Sequence, residues 1–390
     1  MQSRDVRGLP DNLIVDGRTD SQMEIENMMK QNDRAKILVL LVAVFASAAL
    51  VRAVEISDGH VSFALKAPQA KEVKLRGQWS KQDLAMERGS NGTWTATLDS
   101  VPAGVWEYSF AVDGLNVIDP QNPAIKPQRE PQKSILHIPS TPPAPWDWQD
   151  IPHGTVHTHD YQSKALGRQR ELLVYTPPGY EADAAKHFPL LVLQHGSGDN
   201  QRAWTEHGKA NWILDSLIAA GKAKSMIVLM IDGHPNGQVP REAKDRRAAS
   251  LEAFRHELFD DAIPLVERNY RVAEGRENRA ITGLSMGGWQ SLTVGLNALD
   301  RFAWIGSFSG VADLDAIKPA LDAGKETNEK LKLLWIACGR DDFLLERNNA
   351  LIAALKKSGV NYDWHLTDGG HAWPVWRGYL TEFAPMLFQK

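Results

Sequence analysis

The clearest local pattern in the sequence is "RAITGLSMGGWQ", residues 279–290. It joins a short apolar run at 280–282 to a segment with helical periodicity, and it places Ser285 between Gly283 and Gly287. A serine on a sharp strand-to-helix turn needs small neighbours, because its backbone is strained and the flanking chain packs closely. The serine would then lie at a helix N-terminus, where free N–H groups favour developing negative charge. The pattern therefore predicts that Ser285 is a nucleophile.

The sequence around this stretch alternates buried strands with helices. "FPLLVLQHGSG", "SMIVLMIDG", "FAWIGSFSG" and "LKLLWIACG" are continuous apolar runs, and "SLEAFRHELFDDAIPLVERNY" has the spacing of a long amphipathic helix. Continuous apolar strands between helices indicate a parallel sheet that is covered on both faces. Residues 151–390 are therefore predicted to form an α/β domain with a doubly wound sheet.

The hydrophobic pattern of the preceding residues, 54–139, has a different period. "HVSFALKA", "EVKLRGQW", "GTWTATLD" and "VWEYSFAVDG" alternate apolar and polar residues, and Gly, Pro, Asn and Asp separate them. This pattern predicts a small all-β, immunoglobulin-like sandwich. The segment "STPPAPWDWQD", residues 140–150, is rich in proline and is predicted to be a stiff, extended linker.

Residues 1–53 are predicted to be a leader. Basic Arg34 and Lys36 precede an apolar run from 37 to 51, and small residues follow it. A run of about 15 residues is short for a membrane span and typical of a secretion signal. We expect cleavage after Ala53 and a secreted or periplasmic protein without a membrane anchor, with an uncleaved anchor as the alternative.

Composition narrows the functional classes. Hydrophobic residues make up 43% of the chain, and 44 Lys and Arg nearly balance 48 Asp and Glu, which gives no reason to expect a nucleic-acid partner. The single cysteine, Cys338, excludes an intrachain disulfide. The sequence holds neither metal-ligand spacing nor a dinucleotide or P-loop fingerprint, so we expect no metal and no other cofactor.

A serine nucleophile requires a base and a group that orients that base. In doubly wound hydrolases the order along the chain is serine, acid, histidine, each at the carboxyl end of a strand. "IACGRDDFLL" supplies Asp341 and Asp342, and "HLTDGGHAWPVW" supplies His371. We favour Asp342; Asp341 could equally be a solvated loop charge, and Asp368 precedes a Gly-Gly turn that it would help to form.

An oxyanion intermediate requires two N–H donors. One is predicted to be the backbone N–H of Met286, which follows the nucleophile. The other is predicted in the loop "HGSGDN" after a buried strand, where Ser197 is the first candidate and Gly198 the second.

These motifs resemble those of a known enzyme family. Residues 150–390 resemble the esterase D and enterochelin-esterase branch of the α/β hydrolases, and within it carbohydrate esterase family one, on "LLVLQHGSGDNQRAW", "YRVAEGRENRAITGLSMGGWQSL", "IACGRDDFLL" and "GGHAWPVWRGYL". The resemblance implies an α/β-hydrolase fold and a triad of Ser285, Asp342 and His371. The sandwich, with "LRGQW" and "WEYSFAVDG", resembles the early-set carbohydrate-binding modules that precede some of these esterases, which implies affinity for sugar.

Tryptophan is abundant, with 13 residues, and several lie near the motifs. Trp373 and Trp376 flank His371, and Trp204 lies just beyond the oxyanion loop. Their rings could stack on a phenolic acyl group or a sugar at the mouth of the site. The alternative is that Trp373 and Trp376 cover the core beneath the histidine loop. Trp289, one helical turn after the nucleophile, is expected in the core.

The sequence therefore predicts a secreted serine esterase that releases feruloyl or acetyl groups from plant xylan, with an ester-bearing polysaccharide or oligosaccharide as partner. The enzymatic alternatives are an esterase of enterochelin-type siderophores and an acyltransferase, which would use the same triad. The alternative from another class is a non-catalytic carbohydrate-binding protein.

Overall fold

The computed structural model describes residues 54–57, 59–235 and 244–389. The predicted signal peptide in residues 1–53 lies outside the described residues. The contacts gather Ala53–Lys390 into one compact unit. Within the described ranges, none of the helices has the length and apolar character that crossing a bilayer requires.

The N-terminal part is the predicted all-β sandwich, made of two antiparallel sheets with the strand orders β1-β2-β6-β5 and β4-β3-β7-β8, in which β9 also pairs with β7. Alternate side chains such as Phe63 and Tyr108 point between the sheets, and their ring centroids are 5.2 Å apart. The strands are β1 (Val54–Ser57), β2 (His60–Lys66), β3 (Val73–Gly77), β4 (Leu84–Ala85), β5 (Glu87–Arg88), β6 (Thr93–Leu98), β7 (Gly104–Val112), β8 (Leu115–Val117) and β9 (Ser134–Ile138).

The C-terminal part contains an eight-stranded sheet with the order β10-β11-β13-β12-β14-β15-β16-β17. Pairing is antiparallel from β10 to β13 and parallel from there to β17. The strands are β10 (Thr155–Ser163), β11 (Arg168–Thr176), β12 (Leu190–Gln194), β13 (Ile227–Ile231), β14 (Arg279–Gly283), β15 (Trp304–Phe308), β16 (Leu333–Gly339) and β17 (Asp363–Thr367).

Helices cover both faces of this sheet, as the apolar strands predict. Successive strand residues face opposite cores, with Val192 in one apolar cluster and Leu191 in the other. The helices are α1 (Ala203–Glu206), α2 (Ala210–Ala219), α3 (Arg246–His256), α4 (Ile263–Asn269), α5 (Met286–Leu296), α6 (Lys318–Asp322), α7 (Gly324–Lys330), α8 (Leu345–Ser358) and α9 (Trp373–Phe383), with a π-helical turn at Glu257–Ala262 and 3₁₀ turns at Tyr180–Ala182, Arg276–Asn278 and Ala384–Met386.

The segment at 140–150 differs from the extended linker predicted for it. The buried Asp147 carboxylate accepts hydrogen bonds from the backbone N–H groups of Ser140 (2.8 Å) and Ala144 (2.7 Å), and it also pairs with His137 of the sandwich at 2.7 Å. One carboxylate thus folds the proline-rich segment into a packed turn. The prediction of an extended linker is therefore wrong.

Candidate functional site

Ser285 lies on a strained turn between β14 and α5. Its backbone has φ 51° and ψ −111°, which is rare for a residue with a side chain. A Cβ on Gly283 would lie 2.6 Å from the Gln194 carbonyl oxygen, and a Cβ on Gly287 would lie 2.5 Å from that of His195. The turn fits against the end of β12 only because both neighbours lack a side chain.

The three residues of the predicted triad form a continuous hydrogen-bonded relay. His371 Nε2 lies 2.9 Å from Ser285 Oγ, and His371 Nδ1 lies 2.9 Å and 3.0 Å from the two carboxylate oxygens of Asp342. The chain after β14, β16 and β17 supplies one residue each. Because these strands run parallel, their carboxyl ends meet at the same edge of the sheet.

The surroundings of Asp342 favour its ionised carboxylate, which can orient the His371 ring. Burial raises the pKa of its carboxyl, but hydrogen bonds from His371, the Leu344 N–H at 2.8 Å and Ser309 outweigh burial and hold that pKa below its ordinary value. Asp341 is exposed, and the side chain of Asp368 is 99% exposed. Of the three aspartates considered from the sequence, only Asp342 contacts the histidine in the described structure.

The two backbone N–H groups predicted to bind an oxyanion, those of Met286 and Ser197, belong to segments that lie next to the serine. Met286 is the first residue of α5, so its N–H has no acceptor within the helix. A Cβ on Gly196 would lie 3.6 Å from Ser285 Cβ, which places the loop of Ser197 against the nucleophile. The Gly198 N–H already donates to His234 Nε2 at 3.3 Å, which favours Ser197 over Gly198 as the second donor.

A cavity of about 300 Å³ opens beside Ser285. The Arg247 guanidinium lies 4.3 Å above the centroid of the Trp289 ring, a cation–π arrangement. The cavity is lined by Arg247, Ser285, Met286, Trp289, Val311, Leu344 and Arg347. The site thus offers the nucleophile, an apolar wall and two cations at one opening.

Sequence reasoning missed most of this lining. Trp289 lies four residues after Ser285 and therefore on the same helix face, a signal that could have placed it beside the site. Leu344 lies two residues after Asp342, so its closeness to the triad along the chain is also a local signal. Val311, Arg247 and Arg347 carry no such local signal, because folding brings their elements to the cavity from distant parts of the chain.

The three tryptophans predicted to bind substrate lie in the core instead. Trp204 is 1% exposed and Trp373 is 2% exposed, and their rings pack edge to face with centroids 5.0 Å apart. Trp376 is 5% exposed, lies under the His371 ring and donates its Nε1–H to Ser309 Oγ at 3.1 Å. The prediction of substrate contact is wrong for Trp204, Trp373 and Trp376, because α1 and α9 turn these rings inward, where they support the histidine loop.

Known proteins resemble this chain in sequence and in fold. The family model described as "Putative esterase" matches residues 163–387. The chain is 30% identical over 346 residues to an "Endo-1,4-beta-xylanase/feruloyl esterase" of Xylanibacter ruminicola. That match covers 85% of this chain and 45% of the relative, so the chain spans less than half of the longer protein.

Solved structures of esterases share the fold. A ferulic acid esterase superposes with a TM-score of 0.53 and 27% identity, over 60% of this chain and 97% of that one. The enterobactin esterase of Shigella flexneri superposes with a TM-score of 0.59 and 22% identity, over 85% of this chain and 94% of that one. The predicted α/β-hydrolase fold is confirmed, and the chain belongs to the putative esterase family.

Proposed function

We propose that this protein is a serine esterase that hydrolyses carboxylic esters through an acyl-enzyme. The observation that supports this most directly is the hydrogen-bonded relay from Ser285 through His371 to Asp342. A serine hydroxyl is a weak nucleophile on its own, and this relay supplies both the base and the group that orients it.

We propose the following steps. Ser285 Oγ attacks the ester carbonyl while His371 Nε2 takes its proton, and the N–H groups of Met286 and Ser197 stabilise the oxyanion. The tetrahedral intermediate collapses, and His371 returns the proton to the leaving alcohol. Water, activated by His371, then releases the acid from the serine. Asp342 holds the His371 ring with Nδ1–H toward the carboxylate throughout.

We propose ester-bearing plant polysaccharide, with feruloyl or acetyl groups on xylan, as the substrate. A cavity of about 300 Å³ with Trp289 and Leu344 in its wall has room for a phenolic acyl group next to the serine. The name of the Xylanibacter relative joins xylanase and feruloyl esterase activities. Because such a polymer lies outside the cell, we also propose that the protein is secreted or periplasmic.

A siderophore ester is the second candidate substrate. Arg247 and Arg347 line the cavity beside Ser285, and two cations there would suit an anionic ester. An iron(III) enterobactin esterase of Escherichia coli is 26% identical over 66% of this chain.

The test is hydrolysis of methyl ferulate, acetylated xylan, 4-nitrophenyl acetate and enterobactin by the full chain, beside Ser285→Ala and His371→Ala. Each variant should lower kcat on every hydrolysed ester by a factor on the order of 10⁴ to 10⁶. A drop of less than tenfold would remove these residues from the reaction. Preference for ferulate supports the xylan proposal, and preference for enterobactin favours the second candidate.

A further inference from the structure

The loop that carries Ser197, residues 195–200, is fixed from the hydrolase side by two histidines. The Gly233 N–H donates to His195 Nε2 at 2.9 Å, and the Gly198 N–H donates to His234 Nε2 at 3.3 Å. Burial and the nearby His195 lower the pKa of His234 to about 4, so its ring stays neutral and its nitrogen can accept. These bonds hold one flank of the loop.

The sandwich holds the other flank. Its β8–β9 loop, residues 118–133, runs against residues 195–200 of the hydrolase part. The Arg129 N–H donates to the Gly198 carbonyl oxygen at 2.9 Å, and Gln128 forms a β-bridge with Asp199. The loop that would supply an oxyanion donor is therefore paired, backbone to backbone, with the preceding sandwich.

A buried ion cluster lies at this junction. Lys126 Nζ lies 2.9 Å from Glu107 Oε1 on strand β7 and 3.7 Å from Asp199 Oδ1, and the side chains of Lys126 and Asp199 are 12% and 6% exposed. A Cβ on Gly196 would lie 3.8 Å from Asp199 Oδ2, so the carboxylate lies beside the residue that approaches Ser285. One lysine thus lies between a carboxylate of the sandwich and a carboxylate of the hydrolase part.

We propose that the sandwich helps to shape the hydrolytic site, and that Lys126 is a positioning residue that holds the Ser197 loop against Ser285. The inference rests on the proposed ester hydrolysis, since it concerns the donor that this reaction requires. It differs from the role of a detachable sugar-binding module, because the contact that matters is with the oxyanion loop and not with a carbohydrate.

The role of Lys126 has an electrostatic consequence. Burial raises the pKa of the Asp199 carboxyl to about 6, while Lys126 and His195 oppose the rise and Glu107 adds to it. Without the lysine, the ionised carboxylate would be buried without a cation and would draw the loop toward water. Below the pKa of Asp199 the carboxyl is protonated and the loss of the lysine matters less.

The experiment compares Lys126→Met, Lys126→Arg and Lys126→Met/Asp199→Asn with the wild type on 4-nitrophenyl acetate at pH 6 and pH 8. Lys74→Met is the matched control, because Lys74 also pairs with a glutamate of the sandwich but has a side chain that is 41% exposed. Lys126→Met should lower kcat at pH 8 on the order of 10²-fold with KM changed less than threefold, since the loop serves the transition state. The loss should be smaller at pH 6.

The arginine variant and the double variant distinguish a positioning role of Lys126 from a general contribution to the stability of the fold. Arginine keeps the charge and should restore kcat to within tenfold of the wild type. Adding Asp199→Asn removes the uncompensated carboxylate and should recover at least tenfold over Lys126→Met alone. Lys74→Met should stay within twofold of the wild type.

The proposal is overturned if kcat of Lys126→Met stays within twofold of the wild type at both pH values. It is also overturned if Lys126→Met lowers kcat equally at pH 6 and pH 8 and the added Asp199→Asn gives no recovery of kcat. Failure of the proposed function shows separately, as turnover that survives Ser285→Ala. Thermal unfolding gives a readout that needs no turnover: Lys126→Met should lower Tm more at pH 8 than at pH 6, and equal shifts would also overturn the proposal.

Discussion

At the scale of single residues, Asp342 differs from its neighbour in burial and in contacts. The Asp342 side chain is fully buried and accepts from His371, whereas Asp341 is exposed one position earlier. Because its folded-state pKa is below the ordinary value, ionised Asp342 contributes stability that is present above the ordinary carboxyl pKa and is lost as pH falls through the folded value.

We expect Asp342→Asn to lower kcat on the order of 10³- to 10⁴-fold, because the amide N–H can donate to His371 Nδ1, which puts the ring proton on Nε2 where the serine proton must be accepted. Asp341→Asn is the matched control and should stay within twofold. Steady-state kinetics on 4-nitrophenyl acetate measure both. Equal losses in the two variants, or a loss only in Asp341→Asn, would reassign the acid.

The cavity wall gives a second prediction at this scale. Leu344→Trp should fill part of the space beside Ser285 and lower kcat/KM for methyl ferulate at least tenfold, while 4-nitrophenyl acetate turnover should change less than threefold. The small ester is the internal control for an intact triad. If both esters lose activity equally, or neither does, the acyl group lies outside this cavity.

At the scale of elements, the turn between β14 and α5 works because its glycines leave room for β12. We expect Gly287→Ala to lower both Tm and kcat, since its Cβ would lie 2.5 Å from the His195 carbonyl oxygen. Gly378→Ala in α9 is the matched control, because a Cβ there meets nothing within 4 Å and alanine favours a helix by about 0.5–1 kcal/mol. Thermal unfolding measures Tm of the two variants, and steady-state kinetics measure their kcat. A Gly287→Ala variant with the Tm and kcat of the wild type would contradict the close packing.

The long helix predicted from "SLEAFRHELFDDAIPLVERNY" forms, but it widens into a π-helical turn at Glu257–Ala262. That turn points two acidic side chains inward: Glu257 pairs with Arg170 at 2.7 Å, and Asp261 accepts from Ser163 at 2.7 Å. Hydrophobic spacing predicts the helix but not the widened turn, because the turn depends on partners that lie on β10 and β11.

At the scale of the whole molecule, the sandwich and the hydrolase part share buried polar contacts. Arg377 of α9 is 1% exposed and donates to the carbonyl oxygens of Val105 on β7 (2.8 Å) and His207 (3.2 Å). Separating the two parts would break the bond to Val105 and leave that carbonyl oxygen and one buried N–H group of the guanidinium without a partner.

We therefore expect the full chain to unfold in a single cooperative transition, with equal calorimetric and van't Hoff enthalpies. Arg377→Met should lower Tm of that one transition. Differential scanning calorimetry checks this. Two resolved transitions in the wild type would show that the parts unfold independently, as two domains on a loose linker would.

The sequence predicts features that depend on interactions between residues close in the chain, and it misses features that depend on residues far apart in the chain. The strand–serine–helix turn, the choice of Asp342 and the position of His371 depend on local spacing and chain order, and the structure brings these residues together. Burial of Trp204 and Trp373 depends on how distant helices pack. The folded segment around Asp147 likewise depends on a carboxylate that caps N–H groups several residues away, which proline content does not reveal.

Nucleophilic catalysis by Ser285 is tested most directly by locating the acyl group after acid quench of a reaction with excess 4-nitrophenyl acetate. We expect a burst of nitrophenolate, and peptide mass spectrometry should place one acetyl group on Ser285, with none there in His371→Ala or Ser285→Ala. Acetylation of a different residue during turnover, with none on Ser285, would contradict nucleophilic catalysis by Ser285.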